Sequence, residues 1–213
     1  MEQVETVLAE AKAAIDAIYT AEEMAMPFAD VAEGDWFEYA VHYAFTEDIM
    51  NGVSKTEFAP RQTMTRGQML TALYRMANEP EVSGQMKFQD VSADAYYAKA
   101  VLWGTQEGIV KGTSEDLFRP NEPVTRAQAV LFLYRYAKAD RVAEDHLADF
   151  TDGQDVPAYA RDAMNWAVAG GILNGAKNDG EVKIPDETAG TSLSQKPECI
   201  KETKCLESAG REN

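Results

Sequence analysis

Arg66 and Arg126 are the residues of this chain whose setting most suggests chemistry. Each lies in a Thr-Arg-small-Gln tetrad, Thr65-Arg66-Gly67-Gln68 and Thr125-Arg126-Ala127-Gln128, sixty residues apart and each leading into an apolar run. Threonine with glutamine three residues later is a helix capping box, which makes threonine the N-cap, glutamine N3 and arginine N1. A cation is misplaced at N1, where the positive end of the helix dipole disfavours it by up to ~1 kcal/mol. Free backbone N–H groups in the same turn attract anions. An arginine placed there twice fits an anion shared between guanidinium and helix end, with a carboxylate taken in bidentate fashion. The competing role is a salt bridge, for which Asp30 and Asp90 are the obvious partners.

The tetrads belong to a longer repeat, and that repeat predicts the elements that position them. A shift of sixty residues superposes Phe28 on Phe88, Asp30 on Asp90, Trp36 on Tyr96, Ile49 on Ile109, Gly52 on Gly112, Phe58 on Phe118 and Pro60 on Pro120, without a gap. A third copy runs from Phe150 through Asp152, Tyr159, Ala163, Trp166, Ile172 and Gly175, then reads PDETAGTSL where the tetrad belongs. That copy is incomplete. Each complete copy predicts helix, turn, loop, helix. The first helix carries Phe37, Ala40, Val41, Ala44 and Phe45 on one face, repeated as Tyr97, Ala100, Val101 and Gly104, then Ala163, Met164, Ala167 and Val168. Small residues on that face predict that the three first helices pack on one another around a shared axis. Asp48, Gly108 and Gly171, each followed by isoleucine, suit left-handed C′ positions. Ahead of the repeats, Val4, Val7, Leu8, Ala11, Ile15 and Ile18 predict an amphipathic helix.

The fold expected is therefore all-α, with tandem helix-loop-helix repeats at residues 27–80 and 87–140, a partial one at 149–190, an amphipathic helix in 1–26 and an aberrant tail at 191–213. Periodicity is lost after Ile184 and both cysteines, Cys199 and Cys205, follow it, which fits a terminal sequence altered as by a reading-frame change; the alternative is that the third copy is degenerate. The 213 residues with a net charge of −16 argue against nucleic acid, whose phosphates need a basic face, and against anionic lipid. No apolar run approaches the roughly 18 residues of a membrane span. The N-terminus has neither a basic n-region nor an apolar core, so it is not a signal peptide; an exported protein would contain this chain as a fragment. A cysteine-free body excludes a disulfide framework and a cysteine zinc site there. With His42 and His146 the only histidines and no nucleophile elbow or phosphate loop, no catalytic residues, metal ligands or cofactors are expected. The KNDGEVKI stretch at Asn178 lacks the alternating oxygen ligands of a calcium loop and reads as a turn.

The patterns FADV…WFEYAV…DIMNG…FAPRQTMTRGQ, FQDV…YYAKAVLW…GIVKG…FRPNEPVTRAQ and FTDG…YARDAMNWAVAGGILNG resemble S-layer homology domains across roughly residues 26 to 186. The best-known family element, Thr-Arg-Ala-Glu, is matched by both tetrads with glutamine in place of glutamate, which keeps the cap and removes a charge. The resemblance implies a three-lobed, pseudo-threefold arrangement with a central helix bundle and grooves between repeats. It implies non-covalent anchoring to secondary cell-wall polysaccharide, commonly pyruvylated, outside the cell, with a surface-layer or enzyme region attached. Carried over by position, the ligand-binding set is Asp30, Trp36, Gly52 and Arg66; Asp90, Tyr96, Gly112 and Arg126; and Asp152, Tyr159 and Gly175. Ordinary alternatives stand beside these: core packing for Trp36 and Tyr96, turn geometry for Gly52 and Gly112, capping or arginine pairing for the aspartates. The alternative function is a protein–protein scaffold that oligomerises a surface protein without binding carbohydrate.

Overall fold

A computed structural model describes residues 26–178 and 181–183. The N-terminal amphipathic segment, both cysteines and the 191–213 tail lie outside the described residues. Those described form five α-helices, one 3₁₀ turn at His146–Asp149 and one short strand pair, in agreement with the expected all-α class. The helices are α1 (Glu38–Thr46), α2 (Arg66–Met76), α3 (Ala98–Gln106), α4 (Arg126–Tyr136) and α5 (Arg161–Ala169). The strands, β1 (Ala176–Asn178) and β2 (Glu181–Lys183), pair antiparallel with Asn178 opposite Glu181.

The chain divides after Pro60 into two compact units. The division falls inside the first repeat, between its loop and its second helix. In the first unit Phe37 and Val41 of the α1 face are buried against Phe28, with Trp36, Phe45 and Phe58 partly buried around them. The Phe28 ring meets Phe45 and Phe58 edge-on, at 4.9 and 5.2 Å between centroids.

In the second unit, α2 packs on α3 and on α4, and α4 packs on α5. The expected mutual packing of first helices is therefore not what organises this unit, because α3 and α5 form no comparable pair. The small residues serve another approach. A Cβ at Gly104 of α3 would lie 2.8 Å from Leu70 Cδ1 of α2, so the missing side chain admits the second helix of the preceding repeat. Leu70, Leu73, Val101, Ile109, Phe118 and Val124 form the centre of one core, and Ala127, Val130, Leu147, Ala163, Met164 and Ala167 another between α4 and α5.

The helix ends follow local sequence closely. Asp48, Gly108 and Gly171 have φ of 54°, 73° and 68°, the left-handed conformation expected of C′ residues. One residue later the copies diverge. Ile49 and Ile109 are 9% and 2% exposed, whereas Ile172 is 47% exposed. In the second repeat Arg135 of α4 donates to the Ile109 carbonyl at 3.0 Å, so a second helix of the same repeat lies against that isoleucine.

Candidate functional site

Both tetrads form the capping box that their sequence dictates. Thr65 Oγ1 accepts from Gln68 N at 3.2 Å while Gln68 Oε1 accepts from Thr65 N at 2.8 Å. Thr125 and Gln128 repeat this at 3.2 and 3.3 Å. The boxes are local, but the two tetrads are also stitched together. Val124 N donates to Met64 O at 3.0 Å, and a bridge joins Thr65 to Pro123.

This stitching decides what the start of α2 can do. The N1 and N2 amides, Arg66 N and Gly67 N, donate to Glu122 O and Pro120 O at 3.0 and 2.8 Å. The N–H groups expected to await an anion are thus taken by carbonyls of the second repeat's loop. Glycine in the first tetrad has a matching reason: a Cβ at position 67 would lie 3.0 Å from the Tyr97 ring and 3.1 Å from Pro120 O.

Arg66 is 3% exposed. Its Nε donates to Phe118 O at 2.9 Å and its Nη1 to Gln128 Oε1 at 3.0 Å. The guanidinium carbon lies 4.7 Å from the Phe118 ring centroid and 5.4 Å from that of Phe132, sandwiched between cation–π partners. Burial pulls its pKa below the ordinary arginine value, and the fields of Glu122, Tyr159 and Asp90 work in the opposite direction. Neither the expected open fork nor the expected salt bridge to Asp90 is present. Arg66 joins three parts of the unit: its own helix, the loop of the second repeat and the second capping box. Arg126 opens α4 in the corresponding place and is half-buried.

The aspartates have a clear structural task. Asp30 accepts from Phe58 N and Ala59 N at 2.9 and 2.7 Å; Asp90 accepts from Phe118 N and Arg119 N at 2.9 and 2.6 Å. Ala59 and Arg119 have φ of 60° and 58°, so each carboxylate fastens a strained non-glycine corner at the end of the repeat loop. The amide of Phe58, more than that of Ala59, holds the Asp30 pKa below its ordinary value. Gly52 and Gly112 turn at φ of 75° and 81°, where a Cβ would approach the Phe28 or Phe88 ring within 2.8 or 2.6 Å. Turn geometry alone accounts for both. Gly175 shares the left-handed conformation at φ 64°, and Asp152 is half-buried with its carbonyl accepting from Asp155 N at 2.9 Å.

The aromatic positions differ from these. Tyr96 and Tyr159 are 64% and 57% exposed, well outside the core, while Trp36 is half-buried. Tyr96 stands edge-on to buried Tyr97 at 4.9 Å, and Trp36 to Phe37 at 5.4 Å, so a buried neighbour orients each ring. Phe118 joins Arg66 to Asp90, accepting from Arg66 Nε through its carbonyl and donating to Asp90 through its amide, while Arg119 and Glu122 pair at 2.8 Å in the same loop. Sequence reasoning missed Gln128, Phe118 and Phe132 as partners of Arg66. Their signal was the recurrence of Phe58 and Phe118, and of glutamine where glutamate was expected.

Three segments, residues 27–70, 87–130 and 149–180, match the family model described as S-layer homology domain. The chain is 30% identical over 145 residues to the surface-layer 125 kDa protein of Lysinibacillus sphaericus, covering 68% of this chain and 12% of that protein. It is 26% identical over 164 residues to an amylopullulanase of Thermoanaerobacterium thermosulfurigenes, covering 76% and 9%. A cellulosome-anchoring protein of Acetivibrio thermocellus matches at 24% over 112 residues, covering 51% and 25%. The chain therefore spans a small part of each of these relatives.

Proposed function

The chain belongs to the S-layer homology domain family, and on that premise we propose that it anchors a larger protein non-covalently to the bacterial cell wall. Its ligand is secondary cell-wall polysaccharide carrying pyruvyl carboxylates. Relatives named as surface-layer and cellulosome-anchoring proteins support attachment at the cell surface. The amylopullulanase supports the view that the module accompanies regions of unrelated activity. Catalysis, if any, belongs to such a region. No helix among the described residues is long and apolar enough to cross a membrane.

The observation that carries the proposal is the exposure of Tyr96 and Tyr159, 64% and 57%, in the same unit as the buried guanidinium of Arg66. No carboxylate among the described residues lies within ion-pair distance of that guanidinium, and it sits in a low-dielectric setting where its field is weakly screened. A sugar ring on the tyrosine face would hold an acidic substituent in that field. Recognition then works through the field of Arg66 and through exposed groups around it, since the Nε and Nη1 donors are already engaged.

Retention on purified wall polysaccharide tests this. Tyr159→Ala should lower retention roughly five- to thirtyfold, consistent with the ~1–2 kcal/mol of a stacked aromatic contact, and removal of the acidic ketal should abolish it. Retention indifferent to both changes would rule the proposal out. A scaffold would ignore the polysaccharide and instead change mass with concentration.

A further inference from the structure

In the second unit each first helix is covered by the second helix of the repeat before it: α2 lies on α3, and α4 on α5. The cover leaves a signature in the residues beneath it. Ala100 and Gly104 of α3 are buried, and so are Ala163 and Ala167 of α5. The aromatic residue just before the second small position meets a tyrosine of the covering helix. Trp103 lies 5.5 Å from Tyr74, and Trp166 lies 5.6 Å from Tyr134, two tyrosines that are themselves sixty residues apart.

In the first unit α1 carries the same three positions as Ala40, Tyr43 and Ala44, and no described helix precedes it. Here Ala40 is exposed, Ala44 half-buried and Tyr43 57% exposed. Spaced i, i+3, i+4, the three share one helix face. Phe37 and Val41 lie on another, buried against Phe28. A face that is covered on α3 and α5 is therefore bare on α1 among the described residues. The chain holds an occupant at the repeat interval. The stretch sixty residues before α2 is 6–16, inside the apolar set Val4, Val7, Leu8, Ala11, Ile15 and Ile18, whose spacing gives a helix one apolar side. From 6–16 to α1 the connection is as long as that from α2 to α3.

We propose that residues 4–18 dock as a helix on the Ala40–Tyr43–Ala44 face of α1, in the place that α2 takes on α3. The N-terminal segment then completes the first repeat, and the assignment does not rest on the anchoring proposal. The test is NMR on the whole chain with labelled leucine and isoleucine methyls. Nuclear Overhauser contacts should run from the Leu8 and Ile15 methyls to the Tyr43 ring, and should persist when labelled chains are diluted into unlabelled ones. Leu8→Asp and Ile15→Asp should each speed amide exchange in α1 at least about tenfold and leave α3 unchanged, since only the first unit loses its cover. Absence of the methyl–ring contacts, contacts that arise only between differently labelled chains and so mark a second copy as the occupant, or α1 exchange indifferent to both substitutions overturns the assignment.

Discussion

Replacing Arg66 by alanine puts the role of the buried guanidinium to a direct measurement. The substitution removes two hydrogen bonds from a charged donor, to Phe118 O and Gln128 Oε1, each contributing about 1.5–3 kcal/mol. It also removes contacts with the Phe118 and Phe132 rings, about 0.5–2 kcal/mol together. Against these losses stands relief of desolvation, several kcal/mol for a charge this deeply buried. The net expectation is a loss of about 2–4 kcal/mol in the second unit. Arg66→Met keeps apolar bulk between the rings and carries no charge, so it should cost less, about 1–2 kcal/mol. Urea unfolding followed by far-UV circular dichroism reads both, since four of the five described helices belong to this unit. An alanine variant within about 0.5 kcal/mol of the parent would refute the idea that Arg66 ties the two tetrads together.

Other outcomes follow from neighbouring geometry. Gln128→Glu should stabilise the second unit by about 1 kcal/mol in urea unfolding, because a carboxylate would meet Arg66 Nη1 and favour the helix N-terminus. Gly112→Ala should cost over about 2 kcal/mol, since its Cβ would collide with Phe88, Ser114 O and Leu117 O at a left-handed φ; Gly108→Ala meets nothing within 4 Å and should cost only about 1 kcal/mol. Thermal melts of the pair check this, and equal melting temperatures would contradict it. Asp30 has its carboxyl held below the ordinary value by the Phe58 amide, so its contribution is present above the unfolded pKa near ~3.9 and lost as pH falls through the folded value. Amide shifts of Phe58 and Ala59 should therefore move together below about pH 4, and Asp30→Asn should remove that titration.

Much of the architecture was legible in the residues because it is encoded within a few positions of itself. Thr65 and Gln68, or Thr125 and Gln128, cap a helix whatever surrounds them. Asp48, Gly108 and Gly171 close one through the left-handed backbone they tolerate. The sixty-residue offset carried this reading from one copy to the next. The aspartates were half legible: turn-fastening was one of the roles considered for Asp30 and Asp90, but only coordinates could reveal the strained corner each secures. The small face of the first helices was legible as a place of close approach, and misleading about which helix approaches.

What the tertiary structure alone decided is the partner of each element. The acceptor of Arg66 Nε lies 52 residues away and that of Nη1 lies 62 away, in the next repeat. Periodicity within a copy carries no information about contacts between copies. The sequence by itself determined the repeat, the capping boxes and the helix ends, because these depend on interactions a few residues apart. The structure decided that the amides and guanidinium at the start of α2 are spent on a neighbouring loop, because adjacent repeats compete with solvent and ligand for the same donors.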